Sequence, residues 1–364
     1  LGDFHNWNGV LSFANTKFAK KQYDTNIITN QSIQTNDTLY NNQDVFQSIY
    51  GRWEYSRDKW ENFKFQFGYE YKYEKINGPR IQNNTSNFYE QAFFTQLNLK
   101  LNNKIENQIG LRIPYHSVYN APFTPSIHLK YNASHNIQIR SSYARGFRAP
   151  SIKELFLEFI DINHNIVGND ELKAEKSHAL QTSIRFDPIH EENRYLSFNI
   201  EGYFQYLYNK ISIVQIGVTN AYTYYNMSEV QNYGLNSRIE GYFNNNKIAL
   251  MWNIYNMENN LYTYNSPKQN ISVTYSYKYS KWNCGINLNW KLKSKNEYQR
   301  VDSNSEIITY IQEEYQLLNV SIFKNLPKIN TSVFLGVKNL FDVKTINNLD
   351  PTSIHSGTEN MISW

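Results

Sequence analysis

Asn62-Phe63-Lys64-Phe65-Gln66-Phe67-Gly68-Tyr69-Glu70-Tyr71-Lys72-Tyr73-Glu74 is the stretch that decides the fold. Successive side chains on a β-strand point to opposite faces. Phe63, Phe65, Phe67, Tyr69, Tyr71 and Tyr73 therefore share one face, and Lys64, Gln66, Glu70 and Lys72 share the other. Nothing in the run has the spacing of a helix. The pattern returns at Ile105, Ile109, Leu111, Ile113 and Tyr115, at Leu196, Phe198, Ile200, Phe204 and Tyr206, and at Trp282, Cys284, Ile286, Leu288, Trp290 and Leu292, each set opposed by polar residues. Counted along the chain, it predicts about fifteen or sixteen strands of roughly 9 to 13 residues each.

The links between these strands alternate in length. Short ones are expected at Asn102–Asn103, Asn132–His135, Asp187–Asn193, Asn244–Asn246, Ser280–Lys281 and Asn325–Lys328. Long polar ones are expected at Lys75–Tyr89, Arg148–Lys176, Asn209–Glu229, Glu258–Gln269 and Lys293–Glu314. Only Ser151–Phe159 has a helical spacing. Turns at one rim, loops at the other, aromatics near strand ends and strands long enough to cross a bilayer when tilted are the signature of a transmembrane antiparallel β-barrel. Soluble sandwiches and propellers use shorter strands and seldom keep a polar face continuous, whereas a water-filled or plugged lumen requires one.

Composition supports this all-β reading and narrows function. The 364 residues include 30 Tyr, 21 Phe and 7 Trp, yet mean hydropathy is -0.65. Disordered chains are poor in aromatics, and helical membrane proteins are far more apolar. The longest apolar run, Ile248–Trp252, is much shorter than the roughly 20 residues of a spanning helix. Against 36 Lys plus Arg stand 32 Asp plus Glu, with no basic block of the kind that binds nucleic acid. One cysteine, Cys284, excludes an internal disulfide, and the 8 histidines show no paired metal spacing. G-x-S-x-G and H-E-x-x-H do not occur, so no enzyme, catalytic residue, resident metal or cofactor is expected.

Three segments carry a family resemblance. Ala144-Arg145-Gly146-Phe147-Arg148-Ala149-Pro150-Ser151-Ile152-Lys153-Glu154-Leu155-Phe156 resembles a hallmark of TonB-dependent outer-membrane receptors, where it closes a strand and opens a long extracellular loop. Gly168-Asn169-Asp170-Glu171-Leu172-Lys173-Ala174-Glu175-Lys176-Ser177 is similar to that family's G-N-P-x-L-x-P-E-x-S, with Asp170 and Ala174 in place of both prolines. Gly336-Val337-Lys338-Asn339-Leu340-Phe341-Asp342 is similar to its G-V-x-N-L-F-D near the end of the penultimate strand.

The resemblance implies a barrel of about 22 strands around a plug, of which residues 1–364 would form the C-terminal barrel portion. On this expectation the plug, its TonB-contacting segment and about five strands lie outside the sequence. Leu1 is not a start methionine and no leader follows it, so the chain is read as a mature product or a fragment; His355–Trp364 does not alternate, which is read as truncation before the last strand, with Trp364 as the family's terminal aromatic residue the alternative. The implied activity is energised import of a scarce ligand, a ferric siderophore, haem or cobalamin, across the outer membrane, with lipid and the TonB complex as partners. A passive porin-like channel and a soluble β-rich binding protein are the alternatives.

Candidate ligand residues follow from the first loop. His164 occupies the interval in which some haem receptors of the family carry a histidine, and a neutral imidazole can ligate haem iron. Its ordinary alternative is a solvated loop residue. Arg145 and Arg148 could hold a carboxylate or an anionic siderophore through paired hydrogen bonds, or serve as wall charges that contact plug or loops. Tyr222, Tyr224 and Tyr225 suit either a stacking surface or an interfacial girdle.

Overall fold

The computed structural model describes residues 4–36, 41–60, 62–160, 165–216, 221–259, 262–264, 267–301 and 307–343. Its wall strands in chain order begin with β1 (Phe4–Lys20), β2 (Asn42–Trp60), β3 (Phe63–Asn77), β4 (Thr85–Lys100) and β5 (Ile105–His116). They continue with β6 (Thr124–Asn132), β7 (Ile137–Arg148), β8 (Glu175–Glu191), β9 (Arg194–Gln215) and β10 (Tyr222–Phe243). The last are β11 (Asn246–Asn259), β12 (Lys268–Tyr279), β13 (Cys284–Lys293), β14 (Tyr315–Leu326) and β15 (Thr331–Val337). Each pairs antiparallel with the next, which makes fifteen wall strands. With the hairpin Glu158–Ile160/Asn165–Val167 they account for the 17-stranded sheet. The two ends of this wall, β1 and β15, are not paired with each other among the described residues.

Register shows why the alternating residues can be read as two surfaces. Trp53, Tyr69 and Phe93 align across β2, β3 and β4, and Ile113 follows on β5. This face stays exposed along its length, as at Ile113, Ile127, Leu180, Ile184, Ile200 and Ile322. An exposed apolar surface this extensive is stable against lipid rather than water. The opposite face is polar and self-paired. Arg52 bonds Glu54 and Glu70, Arg112 bonds the other oxygen of Glu70 at 3.0 Å, and Lys130 bonds Glu106 at 3.1 Å. It encloses a hollow of about 1090 Å³ toward the short-turn rim, lined by Lys64, Gln108, His128, Arg140, Gln181 and Glu201 among others.

Asparagine makes many of the turns. Asn244, Asn283 and Asn330 have φ of 53°, 49° and 47°, a left-handed conformation that its short amide side chain tolerates. Two expected links are largely taken up by wall strand, and the loop expected at Lys293–Glu314 contains the paired strands Asn296–Val301 and Ile307–Gln312, which join Tyr262–Tyr264 in a separate three-stranded sheet. The turn expected at Asp187–Asn193 is strand up to Glu191, with a register shift between Phe186 and Ile189. Pro188 has no N–H to give the ladder, so it sits where pairing is interrupted. The loop expected at Asn209–Glu229 is mostly strand, because β9 and β10 each run 22 residues and stand well above a bilayer-spanning length of about 9–11. Asn209, at φ 53°, is a break in the ladder and not the start of a loop.

Candidate functional site at the long-loop rim

The principal buried apolar cluster among the described residues lies at the long-loop rim. It consists of Ile76, Ile81, Phe88, Ile152, Leu155, Leu172 and Ile211, with Phe46, Tyr119, Phe156, Leu157 and Tyr224 packed against it. Segment 149–174 supplies its centre. After β7 the chain turns through Pro150 into the helix α1 (Ile152–Phe156). Ser151 caps it, its Oγ accepting from the Glu154 N–H at 3.3 Å while the Ser151 N–H donates to Glu154 Oε2 at 2.7 Å. So short a helix has little stability of its own; burial of Ile152 and Leu155 holds it.

From this core the segment reaches neighbouring strands and loops. The Glu158 N–H donates to the Arg80 carbonyl at 2.8 Å, and Leu157 bridges Ile81. Lys20 Nζ, at the end of β1, donates to the Ile160 carbonyl at 2.6 Å, and Lys153 Nζ lies 5.8 Å from the Phe18 ring centroid. The Asn165–Val167 strand runs parallel to Tyr222–Thr223. Thr223 Oγ1 donates to the Val167 carbonyl at 3.0 Å, and Asn169 Nδ2 to the Tyr224 carbonyl at 2.9 Å. Asn226 closes the far side, accepting from the Lys173 N–H at 2.8 Å and donating to the Lys173 and Asn209 carbonyls. The Tyr119 hydroxyl donates to the Leu172 carbonyl at 3.1 Å. Burial, with Asp170 and Glu154 nearby, raises the pKa of that phenol and keeps it a donor. The segment is thus a built cap over the rim.

Beside it, Asp44 is buried and pairs with Arg80. Gly78, at φ 155°, is required there because a methyl group would collide with the Asp44 carboxylate.

The structure separates the two candidate arginines. Arg148 aligns with Glu175 on the polar face, where Nε and one terminal nitrogen bond both Glu175 oxygens at 2.7 Å. Its other terminal nitrogen meets Glu154 at 2.9 Å. Glu175 also accepts from the Ile211 N–H at 2.7 Å. Two carboxylates already satisfy this guanidinium, so Arg148 acts as a tie between wall and cap. Arg145 falls on the opposite face with Tyr143 and Phe147, because an odd spacing on a strand reverses the side. His164 lies outside the described residues. Tyr222 pairs with the cap strand, Tyr224 packs on the apolar cluster, and Tyr225 is exposed.

Asn339 ends β15 with a compact turn. Its N–H donates to Asn319 Oδ1 at 2.9 Å, while its side chain exchanges hydrogen bonds with Val343. The Leu340 N–H reaches the Leu318 carbonyl at 2.8 Å, and Asp342 closes the turn onto Asn339. The motif thus forms a turn that closes against β14. Glu154, Glu175, Tyr119 and Asn226 were not singled out as site residues from sequence. The Ser151-x-x-Glu154 spacing of a capping box was the one local signal available; the other contacts depend on strands far apart in the chain.

The family model described as TonB dependent receptor-like, beta-barrel matches residues 1–340. The chain belongs to the TonB-dependent receptor β-barrel family. No curated protein sequence matches it. Among solved structures, this TonB-dependent receptor barrel is similar to the siderophore receptor PirA of Acinetobacter baumannii, with 13% identity over 96% of this chain and 58% of that one, at a TM-score of 0.70. It is also similar to a mutant ferric enterobactin receptor, PfeA, of Pseudomonas aeruginosa in complex with enterobactin, with 16% identity, 92% and 54% coverage and a TM-score of 0.67. A third is the FrpB iron transporter of Neisseria meningitidis, with 10% identity, 91% and 57% coverage and a TM-score of 0.64. At these identities the likeness concerns fold alone. The chain spans a little over half the length of each neighbour. The TonB-dependent receptor family consists of transport receptors rather than enzymes and implies a Gram-negative outer membrane.

Proposed function

We propose that this barrel segment, residues 1–364, forms the wall and part of the mouth of a receptor that imports a ferric siderophore across the outer membrane. A plug domain in the whole protein would transmit energy from an inner-membrane TonB complex. The observation that carries the reading is the pairing of the family match over residues 1–340 with a polar-lined wall whose long-loop rim is roofed by segment 149–174. Import of this kind makes and breaks no covalent bond in the ligand. The wall keeps lipid from the lumen, the cap and its neighbouring loops shape the mouth, and Arg148 fixes the cap to the wall through Glu154 and Glu175. Haem and cobalamin are the alternative ligands, and a haem receptor would use His164 as the iron ligand.

The test is uptake by the complete gene product in an iron-starved Gram-negative host lacking its own siderophore receptors. Iron-55 presented as a ferric catecholate should accumulate only when both the protein and TonB are present. Uptake independent of TonB, together with leakage of small sugars, would favour a passive channel. Growth on haem but not on any ferric siderophore would favour the haem reading.

A further inference from the structure

The outward face carries cations that the polar lumen does not neutralise. Across β7 and β8, Arg145 aligns with His178 and Phe147 with Lys176, on the face that continues as Ile139 and Ile184 toward the short-turn rim. Arg52, Arg112, Arg148, Arg185 and Arg238 each bond a carboxylate. By contrast, Arg145 and Lys176 have no ion pair among the described residues. The Arg145 Nε is buried without a hydrogen-bond partner, and its guanidinium carbon stands 5.6 Å from the centroid of the exposed Phe123 ring. His178 is occupied, its Nδ1 bonded to the Tyr143 hydroxyl at 2.8 Å. The nearest outward carboxylate in register, Glu229, is two strands from Lys176, about 10 Å away at ordinary strand spacing.

The same place is a gap in the wall. β6 begins only at Thr124, so above it β5 and β7 flank a cavity of about 230 Å³. Tyr115, Arg145 and Phe147 line it from the outward face, and Glu90, Arg112 and His116 from the lumenal face. An arginine fork and a lysine beside aromatic rings, at the level where aliphatic side chains give way to polar ones, suit a phosphate at headgroup height.

We infer that Arg145 and Lys176 form a seat on the outer wall for the phosphate of an anionic lipid headgroup in the membrane leaflet on the long-loop side. The inference rests on the membrane-barrel reading and adds a lipid partner to it. The acyl chains lie along the exposed Leu180, Ile184 and Ile127 surface, which commits the site to a membrane lipid rather than a soluble anion.

The complete protein in detergent is titrated with phosphatidic acid, phosphatidylcholine or inorganic phosphate, and bound lipid is counted by native mass spectrometry. Phosphatidic acid should bind wild type more tightly than the R145Q/K176Q double variant by about 5-fold for each charge removed. Phosphatidylcholine should not distinguish them. Equal binding of phosphatidic acid to both proteins overturns the seat. So does displacement of the lipid by inorganic phosphate at equal concentration, which would make it a site for soluble anions. Heat-modifiable gel migration reports whether each protein is a folded barrel, so failure of the barrel reading is seen separately. Should the double variant not fold, K176Q and R145K replace it: K176Q should lose about 5-fold, and R145K, which keeps its charge, should lose less.

Discussion

The two rims of this wall are built by different means. At the short-turn rim the links made wholly of described residues are 101–104, 133–136, 192–193, 244–245, 280–283 and 327–330, and each joins strands already adjacent in sequence. Asn283 and Asn330 reverse the chain by their own backbone preference and need few partners from elsewhere. At the long-loop rim, segment 149–174 gathers contacts from Lys20 to Asn226, and its helix exists because Ile152 and Leu155 are buried against Ile81, Phe88 and Ile211. One rim is local chemistry repeated; the other carries the principal buried apolar cluster among the described residues. The contrast suits the proposed receptor role, in which the turns need only close the ladder while the mouth must hold a defined shape.

Substitutions should therefore act unequally at the two rims. The largest effect is expected for L155A. Emptying this position, 2% exposed at the centre of the cap core, should weaken cap docking by about 2–5 kcal/mol. Hydrogen exchange should then rise across 152–173 while the ladder of β3 and β4 stays protected, and I184A on the exposed apolar face should leave the cap unchanged. Uniform loss of protection would mean that cap and wall are one cooperative unit and would break the comparison.

R148M comes next. It leaves Glu154 and Glu175 without their shared cation, at a cost of roughly 1–3 kcal/mol, toward the lower end because the Arg148 side chain is 46% exposed. Proteolysis within 149–174 should quicken, and E154Q/E175Q in the same background should recover part of the loss. No recovery would show that the arginine acts through packing instead.

N283A should have the smallest effect, about 1 kcal/mol or less for placing alanine in a left-handed turn, and N283G should be close to neutral. Thermal unfolding of the purified barrel measures both. A loss for N283A as large as that for L155A would mean that the short turns carry tertiary contacts as well.

The same contrast explains what could be read from sequence. Alternation at Phe63–Tyr73 predicted the strands, their faces and the order of links, because a period of two is written in each segment separately. Pairing of consecutive strands then follows with little further choice. The links expected at Asp187–Asn193 and Asn209–Glu229 are largely strand instead: Pro188 and Asn209 each disturb the ladder locally, and a long strand can absorb such a break without ending. The cap was readable only in part. Ser151 and Glu154 mark the helix start, but nothing near Arg148 in sequence shows that Glu175 will face it across the ladder. Arg145 and Arg148 looked like partners by proximity, and strand parity sends them to opposite sides of the wall.

A wall that separates lipid from a polar lumen is tested most directly along Lys64–Tyr73. Single spin labels placed at each position from Lys64 to Tyr73, in the complete protein reconstituted in bilayers, would report accessibility to oxygen and to a water-soluble nickel complex. Accessibility should follow a strict period of two, with Phe65, Phe67, Tyr69 and Tyr71 favouring oxygen and Lys64, Gln66, Glu70 and Lys72 favouring nickel. Equal nickel accessibility at both sets would contradict it, because neither face would then lie against lipid.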